Sequence, residues 1–192
     1  MHSQIVAVID EYESAGDRLH RLEAATPDER WSRRRDPARW SVAECVAHLN
    51  LTSRAYLPLI DAALTEARQK SEAGPSPTDR RLRRDLAGWL LWRVIGPPVR
   101  MKMKTTARFI PEADLSREQS IAEFDHLQRE QIERARGSDG LPIDQVSIVS
   151  PFNKRLKYNL YSCLTILPRH MHRHLWQAEH VWKNAAAQAS GS

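Results

Sequence analysis

The chain has 192 residues, of which 41% are hydrophobic and 28% are charged, and its formal net charge is +5. This composition is typical of one soluble domain with a substantial core, and it excludes disordered and fibrous proteins. The sequence has no apolar run near the roughly 18 residues of a membrane span, and it has no basic-then-apolar leader. We therefore expect a cytoplasmic protein with no membrane partner.

Four long stretches carry apolar residues at helical spacing and are predicted to be helices: about 4–23, 41–70, 116–136 and 158–183. The long connection between the second and third contains a short apolar helix that ends at Gly96-Pro97-Pro98. On it, Trp89 and Trp92 are predicted to be packing residues. The segment 146–152, before the last helix, is predicted to be extended or irregular.

Two capping boxes fix the starts of the second and third helices. Ser41 is followed three residues later by Glu44, and Ser116 by Gln119. Because the second helix starts at Ser41, His48 lies about two turns inside it. Cys45 and Cys163 lie on apolar helical faces without a Cys-x-x-Cys motif, and we predict that both are reduced core thiols.

Four amphipathic helices need a common core, so the fold class is predicted to be all-α, a four-helix bundle with a long, partly helical connection between helices 2 and 3. The predicted domain covers residues 1–183. Residues 184–192 are expected to form a flexible C-terminal tail.

Two arginine clusters, at 33–35 and 80–84, suggest nucleic-acid binding as an alternative. They are interspersed with Asp36, Asp79 and Asp85, and no recognised nucleic-acid motif accompanies them. We therefore predict solvated surface and no nucleic-acid partner. A third basic stretch differs because it could cover one end of a bundle and attract an anionic substrate: Arg100, Lys102, Lys104 and Arg108.

The last helix carries His170 and His174 one turn apart on its apolar face. His48 lies within about 40° of the centre of the apolar face of the second helix. A buried imidazole without a partner costs about 1–3 kcal/mol, so one shared interior destination is more economical than three separate burials. We predict a metal site formed by these three histidines.

The same angular arithmetic places His172 and His180 on the solvated face, and they are excluded as ligands. Glu44 has a sufficient structural role in its capping box. It is also one turn before His48, so an alternative is that its carboxylate orients the imidazole by hydrogen bonding.

The chain resembles the DinB/YfiT-like superfamily, specifically its DinB_2-type branch. The resemblance rests on three elements and covers nearly the whole chain: Trp40-Ser41-Val42-Ala43-Glu44-Cys45-Val46-Ala47-His48-Leu49, Gly96-Pro97-Pro98, and Ser150-Pro151-Phe152 ahead of His170-Met171-His172-Arg173-His174-Leu175-Trp176-Gln177. It implies an up-down-down-up bundle that holds a divalent ion through His48, His170 and His174. It also implies that the chain can form a homodimer.

Three neutral imidazoles leave a divalent ion with its charge and an open position, which is typical of catalytic sites. Zinc or nickel is the expected ion, and iron also suits imidazole. Because related families include thiol-dependent transferases, the resemblance implies transfer of a low-molecular-weight thiol to a small-molecule substrate. Metal-dependent hydrolysis and a non-catalytic metal-binding or dimerisation bundle are the alternatives, and the sequence identifies no catalytic acid or base.

Overall fold

The structure, a computed structural model, describes residues 1–72, 80–98, 105–111 and 116–189, with side chains as far as 181 in the last range. Within these ranges six α-helices are present: α1 (Ser3–Ala24), α2 (Asp28–Trp31), α3 (Val42–Glu72), α4 (Leu86–Ile95), α5 (Arg117–Arg136) and α6 (Leu160–Ala189). A single turn of 3-10 helix covers Ala107–Phe109. The predicted all-α class is confirmed. No helix in the described ranges has both the length and the apolar character needed to cross a membrane.

Both predicted capping boxes are present. The Ser41 N–H donates to Glu44 Oε2 (2.8 Å), and the Glu44 N–H donates to Ser41 Oγ (3.2 Å). Ser116 and Gln119 exchange the same pair of hydrogen bonds at the start of α5. Since each box satisfies N–H groups that the helix itself leaves unpaired, the first turn is fixed. The position of His48 in the bundle follows from the first of these starts.

The four long helices share one core. α1 packs against α5 and α6, and α3 packs against the same two helices. Their apolar faces meet in a single cluster that contains the two cysteines, both free and buried as predicted. The short helix α4 lies against α6 and the neighbouring strand. One face of α4 therefore stays in solvent, and Trp89 is 46% exposed rather than packed as predicted.

A small hairpin precedes α6. Strand β1 (Ser147–Val149) pairs antiparallel with β2 (Lys157–Asn159). The predicted extended segment is thus confirmed, but its partner strand was not predicted, and α6 begins at Leu160 rather than at about Tyr158. The reason is local, because Asn159 Oδ1 accepts the Ser162 N–H (2.8 Å) and so caps the first turn of the helix.

At its other end α6 continues to Ala189, beyond the predicted boundary at Lys183. The added residues include Ala185, Ala186 and Ala187, and alanine has the highest helix propensity. The part of the predicted tail at 184–189 is therefore helical backbone. The remaining part, 190–192, lies outside the described residues.

Candidate metal centre

His48 on α3 and the pair His170 and His174 on α6 converge in the core. One nitrogen from each imidazole lies within 4.8 Å of the other two. The three side chains are 2%, 8% and 7% exposed, respectively. The structure therefore brings together the three histidines that the sequence analysis selected, from positions more than 120 residues apart in the chain.

The pair on α6 is spaced as two ligands of one ion would be. His170 Nε2 and His174 Nε2 are 3.1 Å apart. Two nitrogens that each lie 2.0–2.1 Å from a tetrahedral ion are about 3.3 Å apart, so this separation fits a shared metal. It also fits a hydrogen bond between two neutral imidazoles, if one carries its proton on Nε2. The donor set, three nitrogens with no carboxylate, suits a borderline divalent ion.

A backbone carbonyl fixes the tautomer of His48. Its Nδ1 lies 2.8 Å from the carbonyl oxygen of Phe109, and a carbonyl can only accept, so Nδ1 carries the proton. The lone pair is then on Nε2, the nitrogen available for a metal. The alternative in which Glu44 orients His48 is wrong, because the Phe109 carbonyl occupies that role.

Glu44 holds the segment before α3 instead. Arg34 Nε donates to Glu44 Oε2 (2.8 Å), and Arg34 Nη2 also contacts the same carboxylate. Together with the hydrogen bond from the Ser41 N–H, these contacts tie 34–41 to the first turn of α3. The Arg34 guanidinium lowers the pKa of the Glu44 carboxyl, so the pair is ionised at neutral pH. Arg34 therefore has a structural partner and is not simply solvated surface.

All three imidazoles are neutral at neutral pH. Burial lowers the pKa of His48 to about 4, and the hydrogen bond to Phe109 opposes this shift without cancelling it. Burial, reinforced by His48 and Arg173, holds the pKa of His170 well below its usual value. The pKa of His174 is lowered by burial and by the two other histidines. Since only a neutral imidazole can ligate a metal, the site is ready to bind one without losing protons.

Three aromatic side chains surround the histidines. The Trp40 ring centroid lies 4.8 Å from that of His48 and 5.7 Å from that of His174, stacked on the latter. Phe152 lies 6.1 Å from both His48 and His170. Phe109 stacks on Phe152, with 3.9 Å between the ring centroids. Trp40 and Phe152 are only partly buried, so these two rings form an apolar rim between the cluster and the protein surface.

A match to a family model covers residues 11–178, and the model describes the DinB superfamily. The chain belongs to the DinB superfamily. Comparisons with curated proteins and with solved structures found no significant match. The family resemblance expected from the sequence is thereby confirmed over most of the chain.

The segment Ser150-Pro151-Phe152 is positioned by contacts among buried hydroxyl groups. Tyr56, two turns after His48 on α3, has its hydroxyl 2.5 Å from that of Tyr158 on β2. The Tyr56 hydroxyl also lies 3.4 Å from Ser150 Oγ. These contacts join the hairpin to α3 and place Phe152 beside the histidines. Sequence analysis missed this role, since Tyr56 differs in no sequence pattern from an ordinary core residue.

The histidines excluded as ligands lie outside the cluster in this DinB protein, as expected. They are half-buried rather than solvated, because other groups cover them. The ring of His172 is 3.4 Å from Glu11, and its carbonyl accepts from Arg18. His180 Nδ1 lies 2.7 Å from the Trp176 carbonyl. Helical projection alone assigns this face of α6 to solvent, but α1 covers it at His172 and Trp176 of α6 itself covers it at His180.

Of the predicted basic stretch, only Arg108 is among the described residues. It is exposed, and its guanidinium lies 6.0 Å from the ring of Phe109, whose carbonyl holds His48. Arg100, Lys102 and Lys104 lie outside the described residues. The two cysteines are unsuited to act as nucleophiles, because burial raises the pKa of Cys45 to about 12 and that of Cys163 further.

Proposed function

We propose that the protein is a divalent-metal-dependent enzyme that transfers a low-molecular-weight thiol to a small-molecule substrate, with the ion held by His48, His170 and His174. The observation that carries the proposal is the convergence of three buried, neutral imidazoles from two helices in a DinB-superfamily chain. A divalent ion bound there supplies a Lewis acid that lowers the pKa of a bound thiol or water. Zinc or nickel is the proposed ion, with iron as a further candidate.

The chain's own residues prepare the site. Three neutral ligands preserve the charge of an ion and are one fewer than a closed structural site uses. The Phe109 carbonyl keeps the proton of His48 on Nδ1. Trp40 and Phe152 restrict water at the rim, which strengthens electrostatic effects inside. Arg108, with Arg100, Lys102 and Lys104, is proposed to attract the carboxylates of the thiol.

Among the described residues, the side chains at the cluster favour thiol transfer over hydrolysis. Hydrolysis commonly uses a general base near the attacking water. The nearest carboxylate on α3, that of Glu44, is held by Arg34 and the Ser41 N–H, and the histidines are assigned to the metal. A thiol needs less help, because its pKa starts near 8.5 and an adjacent cation lowers it below neutrality. Hydrolysis remains the second candidate activity.

We also propose that the protein is a cytoplasmic homodimer and that the helices of its bundle run up-down-down-up. The directions of the helices support this order. α1 and α6 are parallel, because a contact near the start of one is near the start of the other and later residues also pair with later ones: Gln4–Tyr161 and Arg18–Glu179. α3 and α5 are parallel for the same reason: Asn50–Ser120 and Asp61–Arg134. Contacts between α1 and α5 advance in opposite directions: Tyr12–Gln128 and Thr26–Arg117. Parallel and antiparallel neighbours in this pattern support that order.

Elemental analysis of untagged protein tests the metal site. We expect about one divalent ion per chain in the wild type, and loss of the ion in His48→Ala and in His174→Ala. His20→Ala is the matched control, because His20 is a surface histidine outside the cluster. Absence of an ion from wild-type protein, even after incubation with zinc, nickel and iron, would show that the imidazoles simply hydrogen-bond to one another.

Cobalt substitution tests whether the open position takes a thiol. We expect a sulfur-to-cobalt charge-transfer band when a low-molecular-weight thiol is added, together with consumption of the thiol in the presence of an electrophile. A stoichiometric cobalt protein without such a band contradicts thiol transfer. Anions that replace metal-bound water are then added to this cobalt protein. If they alter its visible spectrum, hydrolysis is favoured. If they do not, the ion is structural in a non-catalytic bundle.

A further inference from the structure

A concave site lies apart from the histidine cluster. A cleft of about 290 Å³ opens between the start of α1, the segment 80–85, α4 and the first turn of α6. Tyr161 at its floor is nine residues before His170, which is about 14 Å along the helix. We propose that this cleft binds a small organic anion whose charged group contacts arginine side chains and whose planar apolar body lies against Trp89.

The walls of the cleft carry uncompensated positive charge. Arg81, Arg83 and Arg84 all line it. In the described part of the chain none of the three has a carboxylate within ion-pair distance, whereas their neighbour Arg80 is paired with Asp144. The carboxylate of Asp85, the residue after Arg84, uses Oδ1 to accept the Gly88 N–H and the Ser162 hydroxyl. A bound anion would supply the charge that these guanidiniums lack.

The surroundings of Arg84 give the strongest electrostatic argument for an anion in this cleft. Its Nε donates to Thr165 Oγ1 (2.9 Å), and its guanidinium carbon lies 4.3 Å from the centre of the Trp92 ring. The guanidinium of Arg169 lies 4.2 Å from the same ring. Two partly buried cations against one indole repel each other, and burial together with Arg169 lowers the pKa of Arg84. An anion beside Arg84 relieves this repulsion.

The arginine segment is held in place before any ligand arrives. The Gln4 side chain accepts the Leu82 N–H (2.8 Å) and donates to the Leu82 carbonyl (3.1 Å). Asn159 Nδ2 donates to the Arg83 carbonyl (2.9 Å). An extended segment without regular structure is thus fixed by side chains of α1 and β2. Because this order already exists, binding an anion does not require the backbone to be ordered, which favours affinity.

The aromatic wall defines the rest of the ligand. Trp89 lines the cleft and is 46% exposed, although a large apolar ring is usually covered. Tyr161 also contributes to the lining, and its hydroxyl accepts a hydrogen bond from the Gln4 side chain (2.7 Å). An exposed indole beside arginines suits a planar body with one anionic group, since the body can stack on the ring while the anion is bound by the guanidiniums. Inorganic phosphate would use only half of this site.

Calorimetric titration of the full chain tests the proposal with three probes. We expect naphthalene-2-sulfonate to bind with one site per chain, and 2-naphthol and inorganic phosphate to bind at least tenfold more weakly. The double variant Arg81→Gln and Arg83→Gln should weaken naphthalene-2-sulfonate at least tenfold, and Trp89→Ala at least fivefold. Arg93→Gln, which removes one positive charge from α4 at a residue that does not line the cleft, should change the affinity less than twofold.

The variant His48→Ala distinguishes binding in the cleft from binding at the histidines. Naphthalene-2-sulfonate should bind to it as it binds to the wild type. The proposal is overturned if the wild type does not bind this probe at millimolar concentration, or if the arginine variants bind it unchanged. It is equally overturned if binding disappears in His48→Ala, because the anion would then occupy the metal site. Circular dichroism of each variant confirms that a loss of binding does not reflect unfolding.

Discussion

His48 depends for its orientation on a carbonyl 61 residues further along the chain, that of Phe109. Such an outer partner fixes both the ring and its proton, and its loss usually weakens a metal site by one or two orders of magnitude. A position on an apolar helical face therefore does not by itself orient His48 as a ligand. The segment that carries Phe109 supplies the carbonyl that orients it.

The buried histidines make the stability of the metal-free protein pH-dependent. The pKa of His48 is about 4 in the folded state, against 6.5 in an unfolded chain. Between these values the unfolded state binds more protons than the folded state. The contribution of His48 to the free energy of unfolding is therefore complete above pH 6.5 and falls as the pH is lowered towards 4. From pH 7 to pH 5 we expect a loss of about 2 kcal/mol from His48 alone. Urea denaturation of chelator-treated protein measures it.

His48→Gln is the informative variant here, because its amide is polar and uncharged and does not titrate. Its loss of stability between pH 7 and pH 5 should be smaller than that of the wild type by about 2 kcal/mol. His20→Gln, at an exposed position, should behave as the wild type does. Equal pH dependence in wild type and His48→Gln would contradict the neutral, buried state assigned to this imidazole.

Trp40 is expected to slow exchange of the ion. Its ring covers His48 and His174, so Trp40→Ala removes the cover and costs about 2–3 kcal/mol of stability. We predict unchanged metal content but at least tenfold faster release of zinc to excess chelator, followed by a colorimetric indicator. Trp40→Phe keeps an aromatic ring and should recover most of the slow release. Equal release rates in all three proteins would show that Trp40 only packs.

At the scale of elements, the fit of α4 against α6 depends on one glycine. A Cβ at Gly88 would collide with the Ser162 side chain at the start of α6. Gly→Ala inside a helix normally stabilises by about 0.5–1 kcal/mol. Here overpacking should reverse the sign, and we expect Gly88→Ala to destabilise the protein by about 1–3 kcal/mol, measured by thermal or urea unfolding.

A second substitution checks the cause of this reversal. Ser162→Gly removes the side chain that the new methyl group would meet, so in the Gly88→Ala background it should recover part of the lost stability. A Gly88→Ala variant more stable than the wild type would mean that the two helices separate at no cost. Such a separation would also change the position of Trp89, the next residue on α4, relative to the arginines of the cleft.

Several elements were predictable because the signals that form them are local. Ser41 with Glu44 and Ser116 with Gln119 are complete within four residues, and both helix starts were correctly predicted. Strand β2 was not, because Lys157–Asn159 becomes a strand only by pairing with β1. The exposure of Trp89 was likewise missed, since it depends on which face of α4 meets α6.

At the scale of the molecule, an ion shared by α3 and α6 should stabilise the whole fold. A ligand that binds only the folded state adds about 2.7 kcal/mol at 100 times its Kd. For a chain of this size that corresponds to a rise in Tm of about 5–10 °C. We expect this rise on adding zinc to chelator-treated wild type, measured by scanning calorimetry, and its absence in His174→Ala. A similar rise in both proteins would place the stabilising ion elsewhere.

The sequence by itself determined the helical class, the starts of α3 and α5, and the choice of His48, His170 and His174 over the other histidines. These follow from capping and from the 3.6-residue period, which act over one or two turns. Only the tertiary structure decided that Phe109 rather than Glu44 orients His48, that Trp40 and Phe152 cover the cluster, and that Arg84 and Arg169 share one indole. Each of these is a contact between segments distant in the chain, and its energy depends on a separation that no local pattern encodes.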